Sequence, residues 1–151
     1  MKKPAIEILI QPLRASDRAG WQPLWQGYLD FYDVDLPRDV TEDTWRRLLD
    51  PGVDMFGLTA RDMNGVMTGI VHFLFHPVTW AIAPRCYLED LYVSPAARNI
   101  GTGRRLIEAV YAAADSRGAD QVYWLTQESN HGARTLYDRI AKKTSFIKYQ
   151  R

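Results

Sequence analysis

The chain has 151 residues, 46% of them apolar and 25% charged, which is the composition of a folded globular protein, and we expect residues 1–151 to form one domain. Its apolar runs are far shorter than the roughly 20 residues of a membrane span. The net charge of +1 argues against nucleic acid as the main partner, and a single cysteine excludes an intramolecular disulfide and favours the cytoplasm.

The first third of the chain predicts one strand and two helices. Residues 6–12 alternate between two faces and predict a strand. Apolar residues spaced three and four apart over residues 17–32 predict a helix, although Pro23 inside it predicts a later start or a bend. Thr41 is predicted as the N-cap of a second helix, which stops at residues 51–52.

The middle of the chain predicts three strands. Residues 55–62 and 66–76 are rich in β-forming residues and flank Asn64-Gly65, a pair that favours a tight hairpin turn. Residues 85–94 predict a third central strand, interrupted by polar residues.

The last third predicts helix, strand, helix and strand. Residues 101–117 predict a helix, and residues 121–126 a strand. Ser129 or Asn130 is predicted to cap a final helix, and residues 145–149 look like a short strand. This order predicts an α/β (α+β) domain on a mostly antiparallel sheet.

The turn after the third central strand has the composition of a phosphate site. It reads Arg-Asn-Ile-Gly-Thr-Gly-Arg-Arg over residues 98–105. Unpaired N–H groups at a helix N-terminus and nearby arginines favour an anion there. A P-loop would need Gly-Lys-Ser or Gly-Lys-Thr, and a dinucleotide-binding turn would need glycine where Leu106 stands. A tight connection without any ligand also fits this pattern.

The context of this turn resembles a known family. RNIGTG at residues 98–103, following LEDLYVSP, resembles the acetyl-coenzyme A (acetyl-CoA) signature of the GNAT acyltransferase superfamily. NHGARTLY at residues 130–137 is similar to that superfamily's segment around its Asn and Tyr. LEDLYV is similar to the spermidine/spermine acetyltransferases. The aromatic-rich first helix and the ending YDRIAKKTSFIKY are similar to the Hpa-type histone/polyamine branch.

This resemblance implies the GNAT fold, with a splayed central strand pair in a sheet flanked by helices. It implies a bulge in the signature strand, pantetheine paired against residues 91–93, and diphosphate on the amides of residues 99–104. An N–H at Leu91 or Tyr92 would face the thioester oxygen. The implied acetyl-CoA-binding residues are Leu91, Tyr92, Val93, Arg98, Asn99, Ile100, Gly101, Thr102, Gly103, Arg104, Asn130 and Ala133. No metal is implied.

Two side chains are the candidate catalytic groups. Glu89 is the candidate base that removes a proton from an amine, directly or through water, and a structural salt bridge is its alternative role. Tyr137 occupies the position of the family's general acid, and a place in the core is its alternative role. Cys86 has no base at a recognisable spacing, so an acyl-cysteine is not expected. His72 and His76 would lie about 13 Å apart on a strand, too far to share a metal ion.

The candidate acceptor site lies in the first two helices and their connection. Residues 28–50 hold seven acidic and three basic residues among aromatic ones. Carboxylates with aromatic rings suit a cationic amine, although a solvated acidic surface gives the same pattern. The candidate substrate residues are Tyr28, Asp30, Tyr32, Asp33 and Trp80. A polyamine, a lysine-like amine, a small amino acid or an aminoglycoside would each fit.

The expected function is therefore direct transfer of an acetyl group from acetyl-CoA to a primary amine. Two other functions stay open, a non-catalytic acetyl-CoA sensor and a nucleotide-binding oxidoreductase. No nucleic acid or membrane is expected as a partner. Residues 144–146 are Thr-Ser-Phe where the family usually has Gly-Phe, so the last strand could exchange with a second subunit, and a homodimer is expected.

Overall fold

The computed structural model describes residues 6–151. Its five strands form one sheet in the order β1-β2-β3-β4-β5, antiparallel except for the parallel pair β4–β5. The mostly antiparallel mixed sheet with helices is therefore confirmed. The elements are β1 (Leu9–Pro12), α1 (Arg18–Phe31), α2 (Arg38–Leu49), β2 (Met55–Arg61), β3 (Met67–His76), β4 (Arg85–Val93), α3 (Thr102–Ser116), β5 (Val122–Tyr123) and α4 (His131–Ile140).

Helices cover both faces of the sheet. Side chains of α1 and α2 form one buried cluster with Ile70 of β3. Side chains of α3 form another with Val71, the next residue of the same strand. Because consecutive strand residues point to opposite faces, the sheet lies between these two layers. β3 is consequently buried on both sides and anchors the elements around the site.

The first helix starts where it was predicted, and the second does not. α1 begins at Arg18, directly after Asp17, and continues through Pro23, so Pro23 does not delay its start. Burial of Trp21 and Trp25 on its inner face outweighs the hydrogen bond that proline removes. α2 begins at Arg38, so Thr41 is not an N-cap. The Thr41 hydroxyl is buried and accepts a hydrogen bond from Trp25 Nε1 at 3.0 Å, a tertiary contact that its sequence position does not indicate.

The sheet edge after β4 is shorter than predicted. β5 spans two residues instead of 121–126, and residues 145–149 form no strand. A strand forms only where its backbone can hydrogen-bond to a neighbouring strand, and in the described part of the chain no strand lies beyond β5. The final segment has no regular secondary structure and leaves Phe146, Ile147 and Tyr149 exposed. Among residues 6–151, no helix is long and apolar enough to span a bilayer.

Candidate active site

The sheet opens between its last two strands. β4 and β5 pair at two positions, Cys86 with Val122 and Tyr87 with Tyr123. β4 then continues through residues 88–93, and no strand among the described residues lies beside that stretch on the β5 side. Backbone groups on such an edge are available to an extended ligand. This opening, called the β4–β5 gap below, is the splayed strand pair that the resemblance implied.

A β-bulge lies at the start of the gap. Leu88 pairs with Phe73 of β3, and Asp90 pairs with His72, so Glu89 is the extra residue. A bulge breaks the regular alternation of side chains and increases the local twist. The bulge therefore sets two carboxylates, Glu89 and Asp90, side by side at one end of the gap.

The turn after β4 is shaped for backbone contact with an anion. Asn99 and Gly101 adopt left-handed conformations, with φ of 63° and 90°. Gly101 is the N-cap of α3, and among residues 6–151 no atom lies within 4 Å of the position its Cβ would take. The first N–H groups of α3 have no partner within the helix, so the turn offers open donors at the positive end of the helix dipole.

Side chains of this turn hold its shape. The Arg98 Nε donates to the Val93 carbonyl oxygen at 3.0 Å, and the guanidinium lies over the Tyr92 ring. The buried Thr102 hydroxyl donates to the Ala97 carbonyl oxygen at 3.3 Å. The Arg98 contacts fix the turn to the end of β4. Because the side chains of Arg98 and Thr102 are used in these contacts, mainly backbone groups remain to face a ligand.

α4 lies across the gap from the bulged strand. A Cβ on Gly103 of α3 would lie 3.5 Å from Leu136 of α4 and 3.8 Å from Val93 of β4, so the three elements meet there. The next residue, Tyr137, packs edge-on against Trp124, with ring centroids 5.3 Å apart. Burial raises the pKa of Tyr137 to about 12. Its hydroxyl is therefore protonated at neutral pH and can donate a hydrogen bond.

A cluster of tyrosines connects Tyr137 to the bulge. Burial is the main cause of the raised pKa of Tyr28, followed by the Asp90 charge, with smaller effects from Tyr32 and Glu89. Tyr32 also acts on the pKa of Tyr137. Tyr28 and Tyr32 contact each other with ring centroids 5.1 Å apart, so these two tyrosines lie between the bulge and Tyr137 near the C-terminal end of α1.

A buried chain of hydrogen bonds supports Asp90 from behind. Trp21 Nε1 donates to His72 Nε2 at 3.0 Å, and His72 Nδ1 lies 2.9 Å from Oδ2 of Asp90. An indole nitrogen can only donate, so Nε2 accepts and Nδ1 carries the hydrogen of a neutral imidazole. The side chains of His72 and Asp90 are 4% and 12% exposed. This chain fixes the orientation of the Asp90 carboxylate.

The comparison with protein families agrees with this geometry. The model described as Acetyltransferase (GNAT) family matches residues 21–141. The chain belongs to the GNAT acetyltransferase family. The resemblance read from its motifs is confirmed, and the protein is an N-acetyltransferase.

Individual relatives support the same assignment for this GNAT acetyltransferase. The D-amino-acid N-acetyltransferase HPA3 of Saccharomyces cerevisiae is 38% identical over 145 residues, which are 95% of this chain and 90% of the relative. The uncharacterized N-acetyltransferase YhfO of Bacillus subtilis is 29% identical, over 93% of this chain and 94% of its own. The aminoglycoside N-acetyltransferase AAC(6')-Iy in complex with CoA shares the fold, with a TM-score of 0.83 and 17% identity over 100% of this chain and 98% of its own.

The predicted acetyl-CoA-binding residues of this GNAT acetyltransferase lie along three stretches of the chain. Residues 91–93 run beside the gap, and residues 98–104 form the turn at its end. Asn130 is the N-cap of α4 without a side-chain cap bond, and its Nδ2 donates to Thr126 Oγ1 at 3.0 Å. Ala133 lies in the first turn of α4, Ile100 is exposed, and Arg104 pairs with Glu108 at 2.8 Å. An open strand edge that ends at free amides fits an extended arm with a diphosphate.

The predicted acceptor residues are not all brought to the same place. An open cleft of about 1630 Å³ runs along the β5 edge, and its lining includes both Trp80 and Tyr137. Tyr28 and Tyr32 belong to the cluster at the bulge. In contrast, Asp30 bonds to Gln26 at 2.8 Å on the exposed side of α1.

Asp33 also stays on the surface. It lies in the exposed turn after α1 with a left-handed φ of 54°. Most of the negative charge predicted for the acceptor site is therefore on the solvated surface, and the carboxylates beside the gap come from the bulge instead.

Sequence reasoning missed the buried partners of the site. It treated His72 only as a possible metal ligand with His76, and Asp90 only as the neighbour of Glu89. His76 instead bonds to Tyr123 and the Pro77 carbonyl, at 2.8 and 2.9 Å. Within residues 6–151, no group of three or more potential ligands could hold a metal ion. The signal available in the sequence was one polar residue in each of two apolar strands, His72 and Asp90. Because the connection between β3 and β4 is long, the sequence does not show that these two residues pair.

Proposed function

We propose that this GNAT acetyltransferase moves the acetyl group of acetyl-CoA directly to a primary amine of a small molecule. The observation that carries the proposal is the β4–β5 gap, an open strand edge that starts at the bulge with Glu89 and ends at the amide-lined turn before α3. Acetyl-CoA is the cosubstrate that suits the open strand edge and the amide-lined turn. The CoA complex of a relative with the same fold supports this choice.

Glu89 is the group that takes a proton from the acceptor. An amine with a pKa near 10 is mostly protonated at neutral pH and cannot attack a carbonyl carbon. Desolvation by the surrounding protein and the charge of the adjacent Asp90 raise the pKa of Glu89 above its usual range, which makes it a stronger base. The proton passes to Glu89 directly or through water, and the freed nitrogen pair forms the new C–N bond.

The tetrahedral intermediate collapses when the C–S bond breaks. An N–H at Leu91 or Tyr92 stabilises the oxyanion, a contribution of about 3 kcal/mol for one donor in other acyl transfers. Tyr137 donates a hydrogen bond to the departing sulfur. Because its raised pKa makes Tyr137 a weaker acid than an ordinary thiol, the phenol stabilises the thiolate by this hydrogen bond. The second nitrogen proton, lost as the amide forms, passes to the sulfur through the phenol or water, which gives the free CoA thiol.

The acceptor is a cationic small-molecule amine, with a polyamine or lysine-like compound as the first candidate. The carboxylates at the bulge and the rings of Tyr28 and Tyr32 suit such a cation. A free amino acid is the second candidate, because the relative HPA3 is a D-amino-acid N-acetyltransferase and its similarity covers 95% of this chain.

Thiol release from acetyl-CoA, measured against a panel of amines, tests this function. The panel contains polyamines, lysine analogues, D- and L-amino acids, basic peptides and aminoglycosides. Turnover with one class, lost in Glu89→Gln and Tyr137→Phe, supports the proposal. Tight acetyl-CoA binding without turnover of any amine would favour the sensor, and binding of a nicotinamide cofactor in place of CoA would favour the oxidoreductase.

We also propose that the enzyme is a cytoplasmic homodimer. Buried Cys86 suits a reducing compartment. The two-residue β5 and the exposed apolar side chains of residues 146–149 suit pairing with a second copy. Light scattering should give twice the chain mass, and deletion of residues 142–151 should give a monomer. A full-length chain that stays monomeric at micromolar concentration would contradict the dimer.

A further inference from the structure

Asp90 is a nearly buried carboxylate that the proposed reaction does not yet use. It follows Glu89 at the bulge and faces α1. His72 Nδ1 donates to it at 2.9 Å, and the Tyr28 phenol also faces it. Both neighbours are neutral donors, because His72 is fixed in its uncharged form by Trp21.

No cation compensates this carboxylate inside the described part of the chain. Among residues 6–151, no lysine or arginine forms an ion pair with Asp90, and the contact with His72 carries no positive charge. A buried charge without a counter-ion lowers the stability of the fold, and hydrogen bonds to neutral groups offset only part of that loss. Such an arrangement keeps a negative charge at a fixed point next to Glu89.

We propose that Asp90, oriented by His72 and Tyr28, is a positioning residue whose fixed negative charge makes the neighbouring Glu89 a stronger base for the acceptor amine. This inference rests on the proposed function, in which Glu89 receives the proton. Trp21 and His72 extend the arrangement into the core and hold the carboxylate in this orientation.

The other groups around Glu89 have opposing effects. Loss of solvent is the largest cause of the raised pKa of Glu89, and the Asp90 charge is the second. Lys148 of the C-terminal segment acts in the lowering direction, and a protonated His72 would do the same, but the Trp21 N–H donated to Nε2 keeps His72 neutral. Tyr87 of β4 and Tyr123 of β5 also face Glu89, and both are neutral phenols whose pKa is raised by burial. Asp90 is thus the one anionic neighbour that acts on Glu89 among these groups.

Asp90→Asn removes the charge and keeps the contacts. The amide Oδ1 can accept from His72 Nδ1, so the imidazole and Trp21 stay in place. Carboxyl-carbon NMR, with the Glu89 resonance assigned from Glu89→Gln, reads the Glu89 titration without any need for turnover. We expect its midpoint to fall by about one pH unit in Asp90→Asn. Asp54→Asn, which removes an exposed carboxylate paired with Arg117, should leave the midpoint unchanged.

The rate profile connects this shift to the reaction. The acidic limb of kcat at saturating amine should move in the same direction and by the same amount, because it reports the base in the bound complex. A Glu89 midpoint that does not move, or a lower melting temperature with an unchanged acidic limb, would overturn the proposal. Failure of the proposed function has a different signature, since no amine would turn over in the unmodified enzyme while the NMR midpoint still responds.

Discussion

The two sides of the β4–β5 gap are built from different parts of the chain. The proposed acetyl-CoA side is a continuous stretch that includes the turn at residues 98–104, and there the backbone conformation would determine binding. The amine side gathers side chains of α1, β3, β4 and α4. Function on the first side depends on local backbone geometry, whereas on the second it depends on how distant elements pack.

The largest expected effect is on the kcat of Tyr137→Phe, and it separates the chemical step from cofactor binding. Tyr137→Phe removes the hydroxyl that we propose to contact the departing sulfur and keeps the ring packed on Trp124. We expect kcat to fall by about 100-fold or more, as for other general acids. The dissociation constant of CoA, measured by calorimetry, should stay within about threefold, since backbone groups hold the cofactor. An equal loss of CoA affinity and rate would mean that Tyr137 is structural.

The second effect falls on the acetyl-CoA side. Gly101→Ala forces a Cβ onto a backbone with φ of 90°, which costs about 1 kcal/mol. The turn relaxes away from that conformation, so the dissociation constant of CoA should rise by about five- to tenfold. Gly132→Ala is the matched control, because its Cβ enters open space in α4 at an ordinary φ. Equal CoA affinity in the two variants would contradict the role of the turn.

The third effect falls on the amine side. Tyr28→Phe keeps the ring, which stacks on Trp25 with centroids 5.4 Å apart, and removes the hydroxyl that faces Asp90. We expect KM for the amine to rise several-fold, with CoA affinity unchanged. Steady-state kinetics with the best amine of the panel measures this. A change in CoA affinity alone would place Tyr28 on the other side of the gap.

The acetyl-CoA side was predictable because its signal is local. The glycine turn and the strand before it lie within residues 88–103, so a short sequence motif indicates the backbone conformation directly. On the amine side, Glu89, Tyr28 and Tyr32 were predicted as candidates from the sequence, and the structure places Tyr28 and Tyr32 near the bulge that holds Glu89. Asp90 and His72 were missed because they meet through a register and a bulge that no short-range pattern encodes. Thr41 shows the same limit, since its partner Trp25 lies on another helix.

The smallest expected effect is at Cys86. The side chain is fully buried in the core, and burial raises the pKa of the thiol to about 11. Direct transfer needs no acyl-cysteine, so Cys86→Ser should keep kcat within about twofold, although the buried hydroxyl lowers the melting temperature. The folded protein should also resist thiol reagents at neutral pH. Loss of turnover with an unchanged melting temperature would support a covalent route.

The most direct test is the map of backbone amides that respond to acetyl-CoA in two-dimensional NMR. A thioester seated between β4 and β5 should shift the amides of residues 89–93 and 99–104 and leave those of β1 and β2 unchanged. Shifts confined to other strands, with residues 89–93 unaffected at saturation, would contradict the assignment of the gap as the acetyl-CoA site.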